Sequence, residues 1–165
     1  MKFHPLSKSD LKRLREELRS RGFAVEGRTG AVLEEGGVKV VLVDGNAFFE
    51  EAGRLLPVAD DRINGSLLAA MPSVFVDVGA VKHVINGASV MRPGIVRVEG
   101  EFSKGDYVVV REERAGQAIA IGEALLSSSE LATVTKGKVV RNVQHHGDEV
   151  HERAKEALSL LPRGR

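Results

Sequence analysis

The stretch from Pro72 to Arg111, PSVFVDVGAVKHVINGASVMRPGIVRVEGEFSKGDYVVVR, leaves this chain few ways to fold. It opens with Val74-Phe75-Val76, a short apolar run that reads as a buried strand. Gly79 then begins a helical segment in which Val81, Val84 and Ile85 fall on one face at i, i+3 and i+4. Lys82, His83 and Asn86 are left on the other face. Gly87 stands where a helix needs a left-handed terminator. Met91-Arg92-Pro93-Gly94 is turn chemistry, and Lys104-Gly105-Asp106 turns again into the apolar strand Tyr107 to Val110. The spacing predicts a small sheet that pins one short helix beside a glycine-rich loop.

Composition narrows the setting. No cysteine is present, which excludes disulfides and thiolate chemistry and suits the cytoplasm. With 4% aromatic residues and no Trp, the core has to be built from Val, Leu, Ile and Ala. No apolar run approaches the roughly 18 residues that a membrane span needs. The net charge is only +1, so any nucleic acid has to be held by a local patch, not by the overall field.

Taken in order, Leu6 to Arg21 is an amphipathic helix capped by Ser7 and striped with Leu11, Leu14 and Leu18. Lys8, Lys12, Arg15 and Arg19 share one side of it, a second basic ridge that could track phosphates, although i, i+4 pairing with glutamates would make it an ordinary solvated face. Ala31 to Leu33 and Val38 to Val43 read as strands of a small meander, with Asp44-Gly45-Asn46 as a tight turn. Leu55 to Asp61 reads as a loop around Pro57, and Asn64 to Met71 as a short helix stopped by Pro72, the expected domain boundary. Further on, Ala118 to Ile121 and Val139 to Gln144 read as strands, and Ser127 with Glu130 as a capping box. A last helix is expected to turn Val150, Ala154, Ala157 and Leu161 inward.

Several motifs in this order form a specific pattern: Asp77-Val-Gly79-Ala80-Val-Lys82, Asn86-Gly87-Ala88, Met91-Arg92-Pro93-Gly94-Ile95, Lys104-Gly105-Asp106-Tyr107-Val108 and Ala118 to Gly122. The pattern resembles the PUA domain, a small RNA-binding pseudo-barrel. The order of a domain of about 70 residues, this module, then LSSSELATVTKGKVVRNVQHHGDEV is similar to the malignant T-cell amplified sequence and translation-machinery-associated family with its archaeal relatives. The resemblance implies an α+β fold: an N-terminal α/β pre-PUA domain over residues 1–71, and a β-rich PUA pseudo-barrel with a C-terminal helix over residues 72–165. It also implies a non-enzymatic, ribosome-associated RNA-binding protein of the cytoplasm, acting in translation initiation or recycling. Transfer RNA or small-subunit ribosomal RNA would be the ligand, on the small ribosomal subunit, and a density-regulated-type protein a further partner. The alternatives are a ribosome-biogenesis factor and an accessory RNA-binding subunit of an RNA-modifying enzyme.

The expected RNA-binding residues are Gly79, Ala80, Lys82, His83, Asn86, Gly87, Ala88, Met91, Arg92, Pro93 and Gly94, completed by Lys136, Lys138 and Arg141. A helix N-terminus at Gly79-Ala80 would expose backbone N–H donors to a phosphate. Lys82 and Arg92 would supply charge, and Asn86 and His83 would bond bases or 2′-hydroxyls. No cofactor, metal or membrane is expected. His145, His146 and His151 lie near Asp148 and Glu149, but neighbours on a strand point to opposite faces, so exposed histidines are expected there in place of a metal site. There is no GxSxG elbow, and 71 residues ahead of the PUA-like part are too few for a synthase or transglycosylase domain, so catalysis is not expected.

Overall fold

Alternating apolar residues joined by two-residue turns build the first half of the chain. The computed structural model describes residues 2–162. Its contacts divide into a first unit that ends at Val58 and resumes from Glu149, and a second from Ala59 to Asp148. In the first unit, β1 (Lys2–Pro5) precedes α1 (Lys8–Ser20), and β2 (Gly30–Glu35), β3 (Val38–Val43), β4 (Asn46–Glu51) and β5 (Arg54–Pro57) follow. The five strands form an antiparallel sheet in the order β1-β2-β3-β4-β5. Ser7 caps α1, its hydroxyl accepting from the Asp10 N–H at 3.1 Å, and Leu11 and Leu18 are buried. The turns Gly36-Gly37, Asp44-Gly45 and Ala52-Gly53 all have positive φ at both residues, the mirror-image turns whose twist suits a hairpin. Residues 55–57 therefore continue the meander as β5 and are not a loop. Pro57 fits because Val58, not Pro57, donates to the Ala47 carbonyl.

The segment between α1 and β2 is fastened from two sides. The Asp44 carboxylate accepts from the backbone N–H groups of Gly27, Arg28 and Thr29 at 2.6, 2.8 and 3.1 Å. From α1, Arg19 donates to the Val25 carbonyl at 2.8 Å and Arg15 to the Gly27 carbonyl at 3.2 Å. Partial burial pushes the Asp44 carboxyl up, but the three backbone donors and the Arg28 charge outweigh it and hold it below its ordinary value.

In the second unit, Asp60 caps α2 (Asp61–Ala69), accepting from the Arg62 N–H at 2.8 Å. Then come β6 (Ser73–Val76), α3 (Val78–Val84), β7 (Val90–Met91), a 3-10 turn (Arg92–Gly94), β8 (Ile95–Glu99), β9 (Tyr107–Glu112), β10 (Ala118–Ala124), α4 (Ser128–Leu131) and β11 (Lys138–His145). The six strands form one curled sheet in the order β7-β11-β10-β9-β6-β8, with only β6 and β9 parallel. Its core is aliphatic, including Val74, Val76, Val108, Val110, Ile119 and Val140. Gly122 permits the β10–β11 approach: a Cβ there would lie 2.3 Å from Cγ1 of Val140 and 3.0 Å from the Arg141 carbonyl oxygen. The expected capping box is formed at α4, where Glu130 and Ser127 exchange side-chain bonds to each other's N–H groups at 3.1 and 3.2 Å.

By contacts α2 belongs to the second unit, which begins at Ala59, ahead of the boundary expected at Pro72. The Asp61 carboxylate bonds Arg111 at 3.2 Å and the Ala118 N–H at 2.8 Å, tying α2 to the second unit. The last helix, α5 (Glu149–Ser159), belongs to the first unit and packs chiefly on β3. Its buried residues are His151, Ala154 and Ala157, so His151 is not an exposed histidine. Val150 and Leu161, expected inside, are only half-buried.

Ala52 holds φ +49° without the freedom of glycine. Ala52→Gly or Ala52→Asn is expected to stabilise the fold by about 0.5–1 kcal/mol, read as a raised urea midpoint. Asp44 sets a pH response. Its folded carboxyl lies below the ordinary 3.8, so its contribution is complete above that value and fades as pH falls through the folded one. Urea titrations from pH 6 downward are expected to show the difference between the protein and Asp44→Ala at full size near neutrality and shrinking below about pH 4.

Candidate nucleic-acid interface

The short helix α3 is set by its own ends. The Asp77 carboxylate accepts from the Ala80 N–H at 2.9 Å, so one of the donors expected to face a phosphate already meets a carboxylate. The Asp77 N–H donates to the Gly94 carbonyl at 2.9 Å, and a Cβ at Gly94 would lie 3.4 Å from that of Ala80. The 3-10 turn thus lies against the first turn of α3. Among Gly79, Gly87 and Gly94, only Gly87 has a positive φ, +95°, and it terminates the helix.

The loop that follows is held from β11. The Asn142 side-chain amide donates to the carbonyls of Val84 and Ala88, each at 2.9 Å, and its backbone N–H meets the Ser89 hydroxyl at 3.3 Å. A Cβ at Gly87 would lie 3.5 Å from Nε2 of His145, so this ring stands beside the loop. His145 is itself fixed, its Nδ1 lying 3.0 Å from the His146 carbonyl and its N–H donating to Asp148 at 3.0 Å.

These supports frame a cleft of about 470 Å³ with mostly apolar walls, lined by Asp77, Ala80, His83, Val84, Ala88, Ser89, Val90, Met91, Pro93, Gly94 and Lys138. Of the expected residues it gathers Ala80, His83, Ala88, Met91, Pro93, Gly94 and Lys138. Met91 is 50% exposed at its edge. His83, Lys136 and Lys138 are exposed and have no ion pair or side-chain hydrogen bond among the described residues. Gly79, Asn86 and Gly87 are exposed nearby without lining the cleft.

Three expected cations do not serve it. Arg92 turns inward, donating from Nε to the Leu131 carbonyl at 2.9 Å and from a terminal nitrogen to the Ile95 carbonyl at 3.3 Å. Arg141 pairs with Glu123 across the β10–β11 ladder at 2.9 Å. Lys82 lines a separate depression with Glu112 and Arg114. Lys82 and Arg92 therefore do not act as a pair. The basic ridge of α1 is also broken: Arg15 and Arg19 clamp backbone carbonyls, and only Lys8 and Lys12 remain as exposed lysines. Asp77, Val84, Ser89 and Val90 line the cleft, and Asn142 supports it, without having been among the expected binding residues. For Asn142 a signal existed, one amide following Arg141 in the valine-rich run Val139 to Val143.

The PUA domain family matches residues 72–146. Over 152 residues the chain is 31% identical to the uncharacterized protein MJ1432 of Methanocaldococcus jannaschii, covering 88% of this chain and 92% of that one. This chain belongs to the PUA-domain proteins. Translation machinery-associated protein 20 of Saccharomyces cerevisiae is 32% identical over 118 residues, which are 67% of this chain and 64% of the yeast protein. The match therefore spans less than two thirds of that relative. A PUA-domain crystal structure from Aeropyrum pernix K1, a tartrate complex, superposes with a TM-score of 0.82 at 28% identity, covering 95% of this chain and 92% of the other. The cleft falls within the PUA-matched residues, and no helix of the described residues is long and apolar enough to cross a membrane.

Removing the Asn142 amide takes one donor from each of the Val84 and Ala88 carbonyls and leaves the Val84 carbonyl with the Gly87 N–H alone. Asn142→Ala is expected to cost about 1–3 kcal/mol. The amide protons of residues 86–89 are expected to exchange faster than in the parent, read by hydrogen exchange.

Proposed function

We propose that the protein binds RNA through the cleft between α3 and the 3-10 turn, catalyses no reaction, and works in translation. The observation that carries this is the pairing of an apolar slot with uncommitted polar groups at its rim. Val84, Val90 and Met91 can take a base or ribose, His83 can reach a 2′-hydroxyl, and Lys138 with Lys136 can neutralise phosphates. Folded RNA suits such a site because its unstacked nucleotides present flat faces and hydroxyls together. The name of the yeast relative supports a place in the translation machinery. Transfer RNA or small-subunit ribosomal RNA is the ligand we assign, in the cytoplasm, with a density-regulated-type protein as a further partner.

The weak net charge implies few phosphate contacts. Lys136→Glu combined with Lys138→Glu is expected to weaken binding of transfer RNA or ribosomal RNA by about 1–3 kcal/mol, and to lower the salt slope by about one per lysine. Filter binding across a salt series measures both. Unchanged affinity would remove the cleft as the RNA site. Sedimentation with small, not large, ribosomal particles separates a translation role from ribosome assembly.

A further inference from the structure

The side of α3 turned away from that cleft carries Val78, Val81, Lys82 and Ile85 at i, i+3, i+4 and i+7, a single helical stripe. The sequence periodicity put Val81, Val84 and Ile85 on one inward face. The structure separates them, burying Val84 in the core and leaving Ile85 38% and Val78 46% exposed. Together with Ala115 and Gln117 from the β9–β10 turn, the stripe lines a mostly apolar depression of about 480 Å³. A lone exposed aliphatic residue needs no explanation, but several in one concave stripe do.

Two cations rim the depression, Lys82 and Arg114, both exposed and neither with an ion pair or side-chain hydrogen bond among the described residues. The one acid in its lining is Glu112. Its carboxylate accepts from the backbone N–H groups of Arg114, Ala115 and Gln117 at 2.9, 2.6 and 3.1 Å. Slight burial pushes that carboxyl up, but the backbone donors outweigh it and keep it below its ordinary value, so it stays charged and occupied in holding the turn. The rim thus offers positive charge to an incoming partner above an aliphatic floor.

From this complementarity we infer that the trough docks an acidic amphipathic helix of another protein. Apolar side chains of that helix rest on Val78, Val81 and Ile85, and its carboxylates meet Lys82 and Arg114. RNA is the poorer occupant, because aliphatic side chains offer no aromatic platform for base stacking and a phosphate gains nothing on an apolar floor. The surface is small, which suits a weak, reversible contact. It lies on the opposite face of α3 from the RNA cleft, so both can be filled at once.

The test uses the full chain, isotope-labelled for NMR, and a synthetic helix of about 16 residues with leucines at i, i+3 and i+7 flanked by glutamates. Saturable shifts are expected at Val78 to Ile85 and Arg114 to Gln117. The surface variant Lys82→Glu with Arg114→Glu is expected to bind at least tenfold more weakly, while Lys136→Glu with Lys138→Glu binds the peptide as the parent does. A second peptide carrying lysines in place of the glutamates is expected to restore binding to the Lys82→Glu, Arg114→Glu variant. No shift at about 1 mM peptide, or equal affinity in that variant, overturns the inference. So does a loss of transfer-RNA affinity in that variant as large as in the Lys136, Lys138 variant, because the trough would then be part of the RNA face. The RNA reading fails on a different result, an unchanged affinity of the Lys136, Lys138 variant for RNA.

Discussion

One side-chain amide holds the candidate site together. Asn142 bonds the last helical carbonyl of α3 at Val84 and the loop carbonyl at Ala88, and thereby fixes the path of the chain through Gly87. A turn of this kind leaves carbonyls that a short helix cannot satisfy internally, and an amide from the facing strand is the natural donor. Asp77 does the matching work at the other end of α3, where its carboxylate closes the first turn and its N–H grips Gly94. With both ends held, α3 stands as a rigid wall between two concave surfaces. Val84 is its one buried side chain, and Ala80 and Val81 pack half-buried against the same core.

Four arginines act here as backbone clamps. Arg15 and Arg19 hold the segment after α1, Arg92 holds the turn before β8 to Leu131, and Arg111 bonds the Gly116 carbonyl as well as Asp61. The guanidinium carries several donors in a planar fork, so it can satisfy carbonyls that a sharp turn leaves behind. Lysine, a point charge on a flexible stem, is left to the surface, and the cations exposed beside the two concavities include Lys136, Lys138 and Lys82. This division of labour explains why a count of basic residues overstated the patch while the exposed lysines still mark it.

The two faces of α3 then take different chemistry. On one side, apolar walls meet His83, Met91 and Lys138. On the other, an aliphatic stripe meets Lys82 and Arg114, with Glu112 drawn down into its own turn. A seven-residue helix has too little surface to bury a full apolar stripe and also present a polar one, so Val78 and Ile85 stay in the open.

Much of the fold was legible because it rests on local rules. The Ser7 cap, the Ser127–Glu130 box, the glycine after α3 and the alternation in Val38 to Val43 each declare their element within a few residues. The PUA pattern from Asp77 to Gly122 carries the β-rich pseudo-barrel as well. What stayed hidden depends on residues far apart in the chain. Nothing near Arg92 announces that the Leu131 carbonyl awaits it, nothing near Glu149 says that the last helix packs on β3, and nothing in Val81-Lys82-His83-Val84-Ile85 tells which valine the barrel covers. By itself the sequence determined many of the elements, several of their caps and the family. Only tertiary structure decided which cations remain free, because a side chain's charge is local information while the carbonyl or carboxylate that captures it is brought to it by the folded chain, from six residues away at Arg19 to 39 at Arg92.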